Sequence, residues 1–191
     1  MNEKIAIIGT GNVGSALQKG LARAGHEIRT AKAGQVAAAA SWADVIVLAV
    51  PFAALPNVAD ELKSTADGKP VVDVSNALTP DMQLALGFAT SGAEELQKLL
   101  PRASVVKSFN TVFAKHMSDG SVAGQQLSVF AAGDDEAARK VVLALGKAIG
   151  FDAIDAGPLK NARYLEPLGY FNIQLGFVLG NGPDIGFKLV H

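Results

Sequence analysis

Short, almost unbroken apolar runs alternate along the chain with longer stretches whose apolar residues recur every three or four positions. Runs at 5–8, 45–50, 70–75, 104–109, 127–132 and 151–155 read as strands, and 27–30 as a further one. The run at 5–8 reads as a buried strand, and that at 45–50 is continuous enough to be buried on both faces. A helical period begins after the first run, where Val13, Leu17 and Leu21 share a face with the small residues Ala16, Gly20 and Ala24 before Gly25 ends the segment. Further helices are predicted at 35–42, 52–65, 94–100 and 134–149, the last with Asp134, Asp135 and Glu136 at the end where the helix dipole favours negative charge. A final long helix is predicted over 160–179.

This alternation predicts an α/β fold of the Rossmann type, a doubly wound, mostly parallel sheet with helices on both faces. A single domain over 1–191 is expected, with 156–191 as a C-terminal helical segment packed on it. Between the second and third strands only residues 31–44 remain, too few for the helix, strand and connection ordinarily placed there. One short helix fits, so one outer strand is expected to be missing. Residues 78–92 carry no clear period and read as a loop that could form a flap over a site.

Composition narrows the partners. With 49% hydrophobic and 18% charged residues the chain can bury a substantial core, and a net charge of -1 offers no basic stripe for nucleic acid and no polybasic patch for a membrane surface. The absence of cysteine removes disulfides, thiol nucleophiles and thiolate metal sites, and fits a reducing compartment. The run at 5–8 is too short for a signal peptide, and 165–179 is interrupted by Pro167, Asn172 and Gln174 and falls short of a bilayer span. A cytoplasmic protein is therefore expected. Four glycines around Phe177, Val178 and Ile185 within 176–186 suggest close packing and a homodimer contact.

The chemistry-bearing motif is Gly9-x-Gly11-x-x-Gly14, lying between the first strand and the first helix. Gly9 permits the tight turn, Gly11 lets the backbone approach a pyrophosphate, and Gly14 lets helix and strand pack closely. Thr10, Asn12 and Val13 complete the turn whose N–H groups attract the anion. An NAD-preferring site commonly has a carboxylate at the end of the second strand, but Thr30 and Lys32 stand there, a hydroxyl and a cation suited to a 2′-phosphate. NADP(H) is thus favoured over NAD, although Arg29 and Lys32 could instead be solvated surface charges.

In an open parallel sheet ligands bind beyond the carboxyl ends of the strands. Those ends are the 10–13 turn, Val50 with Pro51 and Phe52, Asn76, Asn110 and, as a further candidate, Gly133. Val50, Pro51 and Phe52 could wall a nicotinamide, and Asn76 and Asn110 could hydrogen-bond its amide or a second substrate. His26, His116 and His191 are isolated, with surface the expected place of His116. The spacing of histidines and carboxylates suggests no metal site, and no acid/base set stands out. Hydride transfer between two bound rings requires alignment and exclusion of water more than a strong base.

The segments GTGNVGSAL, AVPF, VVDVSN, VVKSFNTVFA, AAGDDEAARKVV and DAGPLKNARYLEPL, in that order, resemble the NADPH-dependent coenzyme F420 reductases, or F420-dependent NADP reductases, and their bacterial relatives. The resemblance implies a Rossmann domain that binds NADP(H) and transfers hydride between its nicotinamide and a deazaflavin. It implies pyrophosphate at Thr10 to Val13, 2′-phosphate at Thr30 and Lys32, nicotinamide near Pro51 and Asn76, and the second ring toward Asn110 and the C-terminal segment. The family usually has a Ser-Arg pair after its second strand, where Ala31-Lys32 stands here; lysine lacks the bidentate fork of arginine. Coenzyme F420, a flavin or a similar small redox acceptor is the expected second substrate. The alternatives are a non-catalytic NADP(H)-sensing or interaction module and, third, an imine or small-carbonyl reductase, for which the chain is short.

Overall fold

In the computed structural model, which describes residues 2–190, seven strands form one sheet with helices on both faces. The strands in chain order are β1 (Lys4–Ile8), β2 (Glu27–Ala31), β3 (Val45–Leu48), β4 (Pro70–Asp73), β5 (Ser104–Ser108), a separate hairpin β6 (Ser121–Val122) and β7 (Gln125–Gln126), then β8 (Ser128–Gly133) and β9 (Asp152–Asp155). The sheet runs β2-β1-β3-β4-β5-β8-β9, parallel throughout except where β8 pairs antiparallel with β5.

The helices are α1 (Asn12–Arg23), α2 (Val36–Trp42), α3 (Leu55–Leu62), α4 (Gly92–Leu99), α5 (Glu136–Ile149) and α6 (Ala162–Ile173). A 3-10 turn at Leu159–Asn161 precedes α6 and a π-helical turn at Gln174–Val178 extends it, so the long C-terminal helix is present with Pro167 inside it. Along β1 the side chains alternate between two cores. Ala6 and Ile8 join the cluster under α2, α3 and α4, and Ile5 and Ile7 join the one under α1 and α5. A strand covered on both faces has no polar face, hence its unbroken apolar sequence.

β2 pairs with β1 and ends the sheet, and α2 is the sole helix or strand between β2 and β3, so no outer strand lies on that side. The hairpin at 121–126 follows no apolar period. Its turn residues Ala123 and Gly124 both have positive φ, 48° and 77°, the geometry of a tight hairpin turn, without the Asn-Gly signature that would announce it. Among the described residues no helix is long and apolar enough to cross a membrane.

Candidate functional site

The β1–α1 turn separates the roles of its three glycines. Gly9 has φ +111°, and a Cβ there would stand 2.2 Å from the Ala49 carbonyl oxygen. A Cβ on Gly14 would stand 2.1 Å from the Gly9 oxygen, so both positions are glycine because the protein packs on itself. A Cβ on Gly11 would meet nothing within 4 Å. Gly11 is the N-cap of α1 and gives it no side-chain cap, and the first turn carries no acid; Ser91 and Asp135, by contrast, cap α4 and α5. The first N–H groups of α1 and the positive end of its dipole have no capping partner of their own, the arrangement in which a helix start attracts an anion, and the space before Gly11 is open.

The turn opens onto a cleft of about 350 Å³. Gly11, Asn12 and Val13 line one side, Val50, Pro51 and Phe52 the β3 side, and Ser75 and Asn76 the β4 side. Phe52 serves twice, since it also packs on the core under α2–α4. A second cavity of about 370 Å³ adjoins the cleft and shares Asn12, Val13, Val74 and Asn76 with it. Its further walls include Asn110, Val112, Phe113, Gly169 and Phe177, with Met82 from the 78–92 loop. That loop is tied to α6 by the Tyr170 hydroxyl, which donates to Gln83 Oε1 at 3.0 Å.

Gly9 and Thr10 form the turn behind the cleft and do not line it. Thr30 borders a shallow depression with Arg29 and Gln35 at the β2 edge, and Lys32 is exposed beside it. The Arg29 guanidinium lies 4.1 Å from the centre of the Trp42 ring, so its charge is used in the fold. Gly133 does not belong to the site. The antiparallel pairing of β8 sets Gly133 opposite Val106, whereas Asn110 follows the other end of β5. His116 is buried rather than on the surface, with Nε2 3.0 Å from the Pro183 oxygen and 3.2 Å from Asp184 Oδ1, and so anchors the C-terminal tail. His26 accepts from the Glu3 N–H at 3.2 Å, and His191 lies outside the described residues.

Asn76 and Asn110 form a couplet across the ends of β4 and β5. Asn76 Nδ2 donates to the Asn110 carbonyl at 3.1 Å, and Asn110 Nδ2 donates to Asn76 Oδ1 at 2.9 Å and to the Leu165 carbonyl of α6 at 2.7 Å. α6 crosses here at Gly169, where a Cβ would stand 2.6 Å from Asn76 Oδ1. The backbone turns into the couplet at Phe109, whose φ of +61° is strained for a bulky residue; its ring is buried edge-on against Phe151, at 6.0 Å between centroids.

Beneath the couplet lies a charge cluster that the sequence reading passed over. Lys107 Nζ is 2.8 Å from Asp73 Oδ2 and 2.9 Å from Glu166 Oε1, with the Lys107 and Asp73 side chains fully buried and Glu166 nearly so. Glu166 also accepts from the Gly92 and Ala93 N–H groups at 3.0 and 3.3 Å, which ties α6 to the start of α4. Burial alone would push the Lys107 ammonium pKa down; the charges and hydrogen bonds of Asp73 and Glu166 outweigh it and hold the value above that of an ordinary lysine. The signal was available in VVDVS and VVKSF, where a carboxylate and an ammonium interrupt buried strands. Asp73 and Lys107 are register partners in adjacent strands. A second link from α6 to α4 runs from Arg163 to Glu94, with Nε and Nη2 at 2.9 and 2.7 Å from the carboxylate. Among the described residues no group of three histidine or carboxylate side chains is placed to hold a metal ion.

Comparison with known proteins bears on the fold and the family. Residues 4–77, from β1 through the β4 end, match the model of the family described as NADP oxidoreductase, coenzyme F420-dependent. The F420-dependent NADP reductase of Methanocaldococcus jannaschii is 32% identical over 136 residues, 68% of this chain and 60% of that protein. Metalloreductase STEAP3 of Rattus norvegicus is 35% identical over 133 residues, 68% of this chain but 26% of the relative, so the chain spans only part of either protein. The crystal structure of an Arthrobacter sp. fb24 protein, provisionally named an F420-dependent NADP reductase, superimposes with a TM-score of 0.90 at 30% identity and full coverage of both chains. Full-length agreement in fold, with the matched segment ending just past Asn76, leads to one assignment: this chain belongs to the family of coenzyme F420-dependent NADP oxidoreductases.

Proposed function

We propose that the protein transfers a hydride between NADP(H) and a deazaflavin, flavin or similar small acceptor. The observation that carries this reading is the pair of adjoining clefts, since the one beside the glycine turn shares Asn12, Val13, Val74 and Asn76 with the one under α6. Hydride transfer would require the two rings to meet directly where the clefts join beside these residues. Thr10 to Val13 would hold the pyrophosphate, Thr30 and Lys32 the 2′-phosphate, and Val50, Pro51 and Asn76 the nicotinamide, with the acceptor toward Asn110 and α6. NADPH supplies the hydride, two electrons with one proton, and the reduced acceptor takes its second proton from solvent. The chain's residues align the rings and exclude water, which is where catalysis of such a step resides.

The test is NADPH and NADH titration side by side, followed by an acceptor panel of deazaflavin, flavins, quinones and ferric complexes. Oxidation of NADPH by a member of the panel is expected; tight binding without turnover by any of them would favour a sensing module instead. Lys32→Ala should weaken NADPH binding about tenfold and leave NADH binding unchanged, since one charge-assisted contact to the 2′-phosphate is lost. Equal losses for both nucleotides would remove Lys32 from phosphate recognition.

We also propose that copies associate through the C-terminal segment. Val178 and Leu179 are each 66% exposed, and Phe171 and Tyr164 on α6 are exposed as well. Some of the small residues there serve the fold itself: a Cβ on Gly176 would stand 2.8 Å from the Phe113 ring, and one on Gly186 2.7 Å from Leu127. A homodimer is the expected result of light scattering, and a strict monomer at high concentration would refute the contact.

A further inference from the structure

Asp73 and Ser75 stand together at the end of β4, between the buried charge cluster and the cleft. Asp73 Oδ2 faces Lys107 Nζ, while Oδ1 accepts from the Ser75 backbone N–H at 2.9 Å and from the Ser75 hydroxyl at 2.7 Å. A carboxylate paired with an ammonium has lone pairs and no proton to give, so the hydroxyl bond has one direction: Ser75 donates. Its hydrogen is committed to the interior, and the capacity left on Oγ is that of an acceptor. Ser75 retains 8% exposure and lines the cleft next to Pro51 and Asn76. Asn76 supplies the opposite polarity, because Nδ2 spends one hydrogen on the Asn110 carbonyl and carries a second.

We propose that Ser75 Oγ, locked as a pure acceptor by Asp73 and Lys107, reads the carboxamide N–H of the nicotinamide, with Asp73 and Lys107 as positioning residues. The inference rests on the reading of this cleft as the nicotinamide site. A freely rotating hydroxyl would serve either end of a carboxamide, whereas a locked one serves only a donor. The cleft should therefore discriminate against 3-acetylpyridine adenine dinucleotide phosphate, whose methyl group replaces the amide nitrogen. A site built around a hydrogen bond rejects the analogue that lacks it, because the polar wall is left unpaired.

The experiment measures dissociation constants of NADP, the 3-acetylpyridine analogue and 2′-phospho-ADP-ribose by calorimetry, for the native chain and for Ser75→Ala, Ser75→Thr and Asp73→Asn. The native protein should prefer NADP over the analogue by about tenfold, the size of one hydrogen bond to a confined donor. Ser75→Ala should erase that preference by weakening NADP alone, and Ser75→Thr should keep it. Asp73→Asn should reduce the preference while leaving 2′-phospho-ADP-ribose affinity unchanged, which a general loss of structure would not do. Equal effects of Ser75→Ala on NADP and the analogue, or none, would overturn the inference. If 2′-phospho-ADP-ribose binds as tightly as NADP, the cleft does not hold the nicotinamide and the inference falls with its placement. Failure of all three ligands to bind would refute the nucleotide reading itself.

Discussion

Replacing Lys107 with methionine is expected to be the most damaging single change to the fold, costing about 3–5 kcal/mol because it strands buried carboxylates without their counter-charge. For a chain of this length that is a fall of roughly 6–20 °C in melting temperature, measurable by calorimetry or circular dichroism. Asp73 would keep the two bonds from Ser75 and Glu166 the two from α4, but neither set neutralises a charge. Exchanging all three residues for apolar ones should recover only part of the loss, since the Gly92 and Ala93 N–H groups would lose their acceptor at a cost of about 1–3 kcal/mol each. The alkaline behaviour of the native protein has a definite sign. A lysine whose folded pKa is raised contributes its stability in full below its ordinary value of 10.5 and loses it only as pH rises through the higher folded value. Lys107 should therefore stabilise the protein evenly across the neutral range. A Lys107→Met variant as stable as the native chain would show that the cluster contributes nothing to the fold.

Gly11→Ala should do the opposite, leaving the fold intact and removing the ligand. Its Cβ would meet no protein atom within 4 Å, so the melting temperature should not move. The methyl group would occupy the space proposed for the pyrophosphate, and NADPH affinity should fall about 100-fold, or about 2.7 kcal/mol. Gly9→Ala is the contrasting control, since its clash with the Ala49 carbonyl and its φ of +111° are present without ligand. Thermal melts with and without NADPH separate the two: one variant should lose ligand-induced stabilisation, the other stability itself. Undiminished NADPH binding by Gly11→Ala would place the pyrophosphate elsewhere.

What was legible in the sequence follows from how local each signal is. The buried runs of β1 and β3 and the glycine turn are written within a few residues, and the shortness of 31–44 was enough to show that β2 ends the sheet. The direction of β8 was not legible, because an apolar strand reads the same in either orientation and the reversal lies in the path of 109–127. This is why Gly133 was read as a strand end at the ligand edge. At the candidate site, the glycine turn was local and visible. The Asn76–Asn110 couplet and the Asp73–Lys107–Glu166 cluster join residues far apart in sequence, and only the register of β4 with β5 and the crossing of α6 bring them together. Asp73 and Lys107 could have been noticed as charges inside apolar strands; Glu166 offered no such sign on a helix of mixed polarity.

The passage of α6 across the strand ends also sets the order in which the site can come apart. The glycine turn depends on neighbours within the first three strands, whereas the adjoining cavity exists only while α6 is docked through Gly169, Glu166 and Arg163. Local opening of α6 is thus expected to be a sub-global event that abolishes the cavity under α6 and spares the glycine turn. On the proposed function, nucleotide retention and acceptor access should then fail separately on heating, acceptor access first.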